Sequence, residues 1–268
     1  MRPAPPLPVV RAPHFDLSTL PRWYNGGSVL ATHLTNGLNF VFPAGERFFI
    51  RSVRFYLDRV QDPALKAAAM AFVAQEAQHQ RAHLQAFAVL EAQGFEIRSY
   101  LDWYERLAYE VIEPRCPPSL RLAATAALEH LTAIFGELAL GTELLEPTHP
   151  EMRRLLRWHA AEEIEHRHVA FDVFEAVDGR YLVRAVGMVV ALTTLLGFWA
   201  VGTRHLLRQE TERSPAEVES TAHARIRAFW WGVSGLVGRR LLSWFRPNFH
   251  PADAEIDQLA ADYVGSMA

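Results

Sequence analysis

Cysteine is nearly absent: Cys116 is the only one in 268 residues. That excludes an internal disulfide and any thiolate-based zinc or iron–sulfur site built from one chain. Metal ligands, if present, must come from histidine and carboxylate, and a reducing cytoplasm suits the composition. A positive excess is also missing. Lys and Arg total 27 against 30 Asp and Glu, a net charge of −3, so there is no global basic field for phosphate contacts, and no nucleic-acid partner is expected. The first twenty residues carry five prolines and no continuous apolar stretch, which does not read as a secretory signal. No repeat of solenoid length is visible.

What is present is helix. Residues 1–35 are rich in Pro and Gly without sustained period and read as an extended arm laid over the domain, silent about chemistry. From Asn36 onward the expectation is a first helix over Pro43 to Val60. A second follows from Asp62-Pro63, an N-cap and a first-turn proline, to about Gln93 with Gly94 closing it. A short helix from Tyr100 to Glu113, a long one from Ser119 to Leu145 and another from Pro150 to Val177 come next. Four long helices with a longer connection over 94–118 fit a ferritin-like four-helix bundle with one crossover, in an all-α chain. The expected division is an arm over 1–35, a bundle over 36–180 and hydrophobic C-terminal helices over 181–268.

A di-metal carboxylate bundle needs one Glu from each of two helices and a Glu-x-x-His from each of the other two. The order here is Glu46, then Glu76-Ala77-Gln78-His79, then Glu129, then Glu163-Ile164-Glu165-His166. Residues three apart on a helix are surface neighbours, so such a pair can reach one ion together. Glu76 follows the apolar run Ala67 to Ala74 and Glu129 follows Leu122 to Leu128; buried carboxylates there must be paired or coordinate metal. At about 100° per residue, His159, Glu162, Glu163 and His166 share one arc, while Glu165 and His168 point away. His159 is therefore an extra ligand candidate. Glu162 reads as an outer partner of the site, and Glu165 with His168 is the alternative pair if the helix is rotated. His83, one turn beyond His79, reads as an outer partner too, with a ligand or substrate-contact role open. His130 reads as structural, and Arg47, Arg51 and Arg54 as a solvated face.

The blocks Phe42-Pro43-Ala44-Gly45-Glu46-Arg47-Phe48-Phe49, Gln75-Glu76-Ala77-Gln78-His79 and Trp158 to His166, in this order, resemble a bacterial family labelled predicted metal-dependent hydrolases. That resemblance spans roughly residues 10–250 and implies metal. The spacing of His159, Glu163 and His166 is also similar to the extra-histidine site of di-iron p-aminobenzoate N-oxygenases. This second resemblance implies Glu46, Glu76, His79, Glu129, His159, Glu163 and His166 as ligands. The expectation is two iron ions, with manganese or a mixed pair accepted alike, in a non-haem oxygenase or oxidase that activates O₂ against a hydrophobic or lipid-like substrate and draws on an electron donor. The alternatives are a di-metal hydrolase of an ester or phosphoester and a non-catalytic metal-holding bundle.

Ala185 to Thr203 carries no charge over nineteen residues, near the length of a bilayer span. Ile226 to Phe245 adds Phe229, Trp230, Trp231, Trp244 and Phe245 beside Arg239 and Arg240, a pattern suited to a membrane interface. The expectation is a cytoplasmic protein touching the inner face of the cytoplasmic membrane. The competing one is that these helices pack on the bundle or across a homodimer. Residues 251–268 read as a short acidic helix.

Overall fold

The computed structural model describes residues 7–267. Helix α1 spans Val29–Arg54, and the Ser28 side chain caps it by accepting from the Ala31 amide. The expected start at Pro43 is therefore corrected, and the arm ends near Ser28 rather than at residue 35. Thr32, Thr35, Asn36, Gly37 and Asn39 are weak helix formers taken singly, which hides this stretch from a local reading. Tertiary packing decides it: a Cβ on Gly37 would stand 2.8 Å from the Thr203 amide nitrogen, so only glycine admits the neighbouring helix. Pro43 lies inside α1, and its carbonyl accepts from Gln80 Nε2 at 2.9 Å, tying α1 to the next helix.

Helix α2 covers Pro63–Ala92, with Asp62 accepting from the Ala64 amide; Gly94, at φ +89°, ends it. Helix α3 (Arg98–Glu105) continues into a wider π-helical stretch over Arg106–Ile112, together close to the short helix expected over Tyr100 to Glu113. Helix α4 runs Pro118–Gly141 and α5 runs Pro150–His166. The expected fourth helix does not continue unbroken to Val177. It is interrupted at Arg167 and His168, and α6 follows as Val169–Val177. The buried Arg167 guanidinium engages the Ile164, Pro251 and Ala254 carbonyls and the Asp257 carboxylate, clamping the break to the C-terminal segment.

Helices α7 (Tyr181–Leu207), α8 (Ala216–Ser243) and α9 (Asp257–Met267) complete the chain. Among the described residues there is no strand, only an Asn25–Thr148 bridge, and the fold is all-α. Phe40, Phe72, Leu122, Phe171 and Trp244 are buried in one core between α1, α2, α4, α6, α7 and the end of α8. Helix α7 is the one described helix long and apolar enough to cross a membrane. It buries Met188, Ala191 and Leu195 while Leu182, Val189 and Leu196 stay exposed. Helix α8 buries only Ala222. Helix α9 seats Ala260, with Ile256 just before it, against Ala161 and Ile164 of α5.

Candidate metal centre

Four helices aim their polar side chains into one buried space. Glu46 comes from α1, Glu76, His79 and His83 from α2, Glu129 from α4, and His159, Glu162, Glu163 and His166 from α5; all are buried. Close packing of α4 on α5 sets the separation of their ligand faces, since a Cβ on Gly136 would stand 2.8 Å from the Ala160 carbonyl oxygen. His166 Nε2 lies 3.1 Å from Glu129 Oε2, 3.2 Å from Glu76 Oε1 and 3.6 Å from Glu163 Oε1. Glu163 Oε1 also stands 2.7 Å from His159 Nε2 and 3.4 Å from His79 Nδ1, and Glu46 Oε1 is 4.0 Å from His159 Nε2.

These side chains fall into overlapping groups whose donor atoms lie within 4.8 Å of one another: Glu76, Glu129 and His166; Glu46, Glu76 and His79; His79, His159 and Glu163; and Glu46, His83 and His159. Glu76 belongs to two of these groups, one with Glu129 and His166 and one with Glu46 and His79.

Each of the three imidazoles is oriented from behind by a partner. His79 Nε2 meets Glu162 Oε2 at 3.0 Å, leaving Nδ1 toward the cluster. His166 Nδ1 meets Gln75 Oε1 at 3.0 Å, leaving Nε2 inward. His159 Nδ1 meets His83 Nε2 at 2.6 Å, and His83 Nδ1 in turn meets Asn39 Oδ1. With a cation bound, the relay would run with His159 donating to His83 and His83 donating to Asn39, freeing His159 Nε2, which otherwise stands 2.7 Å from Glu163 Oε1, for the ion. Such backing fixes ring orientation and raises the basicity of a metal-ligating histidine.

Apart from the 2.7 Å contact of His159 Nε2 with Glu163 Oε1, the inward atoms are left without hydrogen bonds. Both oxygens of Glu46, Glu76 and Glu129, Glu163 Oε2, His79 Nδ1 and His166 Nε2 have no partner. Unpaired buried polar atoms are costly, and so many acceptors converging on one space fit divalent cations. Without a cation, protons must moderate the charge. Burial pushes the Glu46 and Glu76 carboxyls well above their usual range, and burial together with Glu163 brings Glu129 up to about 7. Burial opposes the charge on His79, but the hydrogen bond to Glu162 and the nearby Glu163 and Glu76 carboxylates carry it up to about 10. His166 is held well above the imidazole range by Glu129 and Glu163 despite its burial. Glu163, which burial would raise, is held well below it by His166 and His159. Burial lowers both His83 and His159, with the neighbouring imidazoles adding to it.

Other singled-out residues lie outside the cluster. Glu165 forms a two-pronged ion pair with Arg11 at 2.8 Å, and Gln75 Nε2 approaches it at 3.3 Å. His168 is buried and lowered to about 4 by that burial. His130 bonds the Arg240 carbonyl and stacks on Trp244. Arg47 and Arg51 pair with Glu105 and Glu113. A local reading passed over Gln75, Asn39, Trp158, whose Nε1 donates to Glu162 at 3.0 Å, and Arg11, which reaches Glu162 at 3.2 Å. The arm is thus not silent: Arg11 and the Val9 carbonyl, which accepts from Gln75, both touch partners of the cluster. Gln75 and Trp158 adjoin ligand candidates in sequence, which is a usable signal; nothing local marks Arg11.

A cavity of about 520 Å³ leads away from the cluster. His159 and Glu163 stand at its inner end, Leu38, Phe42, Phe135 and Trp199 line its wall, and Arg225, Phe229 and Trp230 stand at its outer end. Phe42 packs 4.7 Å from the rings of both His83 and His159, so the wall reaches the histidine relay itself.

A family model described as predicted metal-dependent hydrolase matches residues 9–255. Among curated proteins and among solved structures, none matches the chain.

Proposed function

We propose, because the chain belongs to the family of predicted metal-dependent hydrolases, that it is a di-metal enzyme hydrolysing an ester or phosphoester bond in a hydrophobic substrate. The observation that carries this reading is the convergence of unpartnered carboxylate and imidazole atoms from four helices at the inner end of an apolar cavity. Glu129, Glu76 and His166 would hold one ion, and Glu46, His79, His159 and Glu163 the other. Glu76 and Glu163, each beside two or more of the imidazoles, stand between the positions. Two cations bound there supply Lewis acidity and lower the pKa of water.

The chain's own residues do the rest. Glu162, Gln75 and the His83–Asn39 relay keep a lone pair of His79, His166 and His159 directed inward. Both ring nitrogens of His83 are occupied, so it acts as a positioning residue. Phe42, Phe135 and Trp199 exclude water and orient an apolar body with its reactive end against His159 and Glu163.

A second reading, a non-haem di-iron oxygenase or oxidase, is favoured by a different observation. Apart from His159 and Glu163 at its inner end, the cavity offers Asn25, Thr35 and Thr132 but no further acid or base before Glu143, Glu146 and Arg225 toward the outside. Protonation of a leaving group therefore has no dedicated donor, and a thiolate-free imidazole and carboxylate set suits iron. Protein purified from its native host separates the two. Zinc or manganese with turnover of hydrophobic esters supports hydrolysis, and iron with O₂ uptake on reduction supports oxidation. Fewer than two bound metals per chain would refute both.

A further inference from the structure

Helix α8 is an outlier in the fold: it spans 28 residues but buries only Ala222, while Trp231 is 85% exposed and Leu242 69%. Exposed large apolar side chains gathered on one element mark an interaction face. At about 100° per residue, Arg227, Trp231, Leu242 and Arg239 fall within an arc of about 120°, on the side opposite Arg240, which turns inward to pair with Glu137 at 2.8 Å.

Charge selects the partner. Between Glu219 and Asp253 there is no acidic residue but five arginines, Arg225, Arg227, Arg239, Arg240 and Arg246. Among the described residues only Arg240 of these has an ion pair. Of the four acids just upstream, Glu219 is engaged with Ser28, Ser214 and the Val29 amide and Glu210 with Arg22 and His33, while Glu212 and Glu217, the latter in the first turn of α8, are exposed. From Arg225 to Arg246 the face is therefore cationic and aromatic, with no acidic residue in that span. Pairing it with the same face of a second copy would set arginine against arginine. Tryptophan beside arginine instead suits the headgroup layer of an anionic bilayer. The same helix closes the outer end of the cavity through Arg225, Phe229 and Trp230, the last 41% exposed.

We propose that the outer face of α8 docks on an anionic lipid bilayer and sets the mouth of the cavity against it, so that the substrate is an amphiphile drawn from the lipid layer. The docking stands independently; the substrate class rests on the metal-centre reading. The test uses the full chain with vesicles of phosphatidylcholine alone and of equal parts phosphatidylcholine and phosphatidylglycerol, with bound metal measured on the same samples. The expected result is co-sedimentation with the mixed vesicles only, weakened by added salt. Arg227→Gln and Arg239→Gln should each lower partitioning about fivefold, and Trp231→Ser should lower it further, with helix content and metal unchanged. Equal binding to neutral vesicles, no binding, or binding insensitive to these substitutions would overturn the docking. So would a concentration-dependent dimer that Trp231→Ser dissociates. Intact docking by a chain that holds no metal would leave the docking standing and remove the substrate assignment.

Discussion

Replacing Glu129 by glutamine should move stability and metal binding in opposite directions. Both Glu129 oxygens are buried without a hydrogen-bond partner, and Oε2 lies 3.1 Å from His166 Nε2. Burial, with Glu163 nearby, raises this carboxyl from 4.5 to about 7 in the metal-free chain. The folded chain thus holds a proton that the unfolded chain releases, so the contribution is fully present below pH 4.5 and is lost as pH rises through about 7. That interval corresponds to about 3 kcal/mol, or roughly 5–10 °C in Tm for a chain of this size. Glutamine matches the shape and does not ionise. Metal-free Glu129→Gln should therefore melt close to the wild type in acid and well above it at neutral pH, while binding less metal. Thermal melts across pH with and without chelator, paired with elemental analysis, measure both quantities. A uniform loss of stability at every pH, or undiminished metal, would refute the reasoning.

Two further substitutions probe the surroundings of the cluster. Glu162→Gln weakens the acceptor behind His79 Nε2 and should lower metal affinity about 10–100-fold without loss of helix; competition against a chelator reads it, and unchanged affinity would exclude the orienting role. His159→Ala should deplete one of two metal positions, whereas Glu165→Ala should leave occupancy intact and loosen the arm by removing one of the two carboxylate partners of Arg11, the other being Glu162. Elemental analysis and limited proteolysis near residue 11 distinguish these, and the reverse pattern would mean that α5 serves the metal through its other face.

Local helix geometry made much of the centre legible. Glu76 with His79 and Glu163 with His166 are read directly because an offset of three residues fixes their proximity on any α-helix. The same periodicity separates Glu163 from Glu165, which the structure turns toward Arg11. Asp62-Pro63 and Gly94 mark the ends of α2 for equally local reasons, capping and a positive φ. What local geometry does not contain is the pairing of distant segments. Glu162 backs His79 from 83 residues away, Gln75 backs His166 from 91, and Arg11 reaches Glu165 across 154. The same holds where helices begin and end: residues 29–42 are helical because Gly37 admits Thr203 of α7, and α5 stops where Arg167 is clamped by Asp257. Spacing within a helix is set by the backbone and so is written in the sequence. Which buried donor meets which acceptor depends on how helices far apart in the chain pack together, and only the tertiary structure decides it.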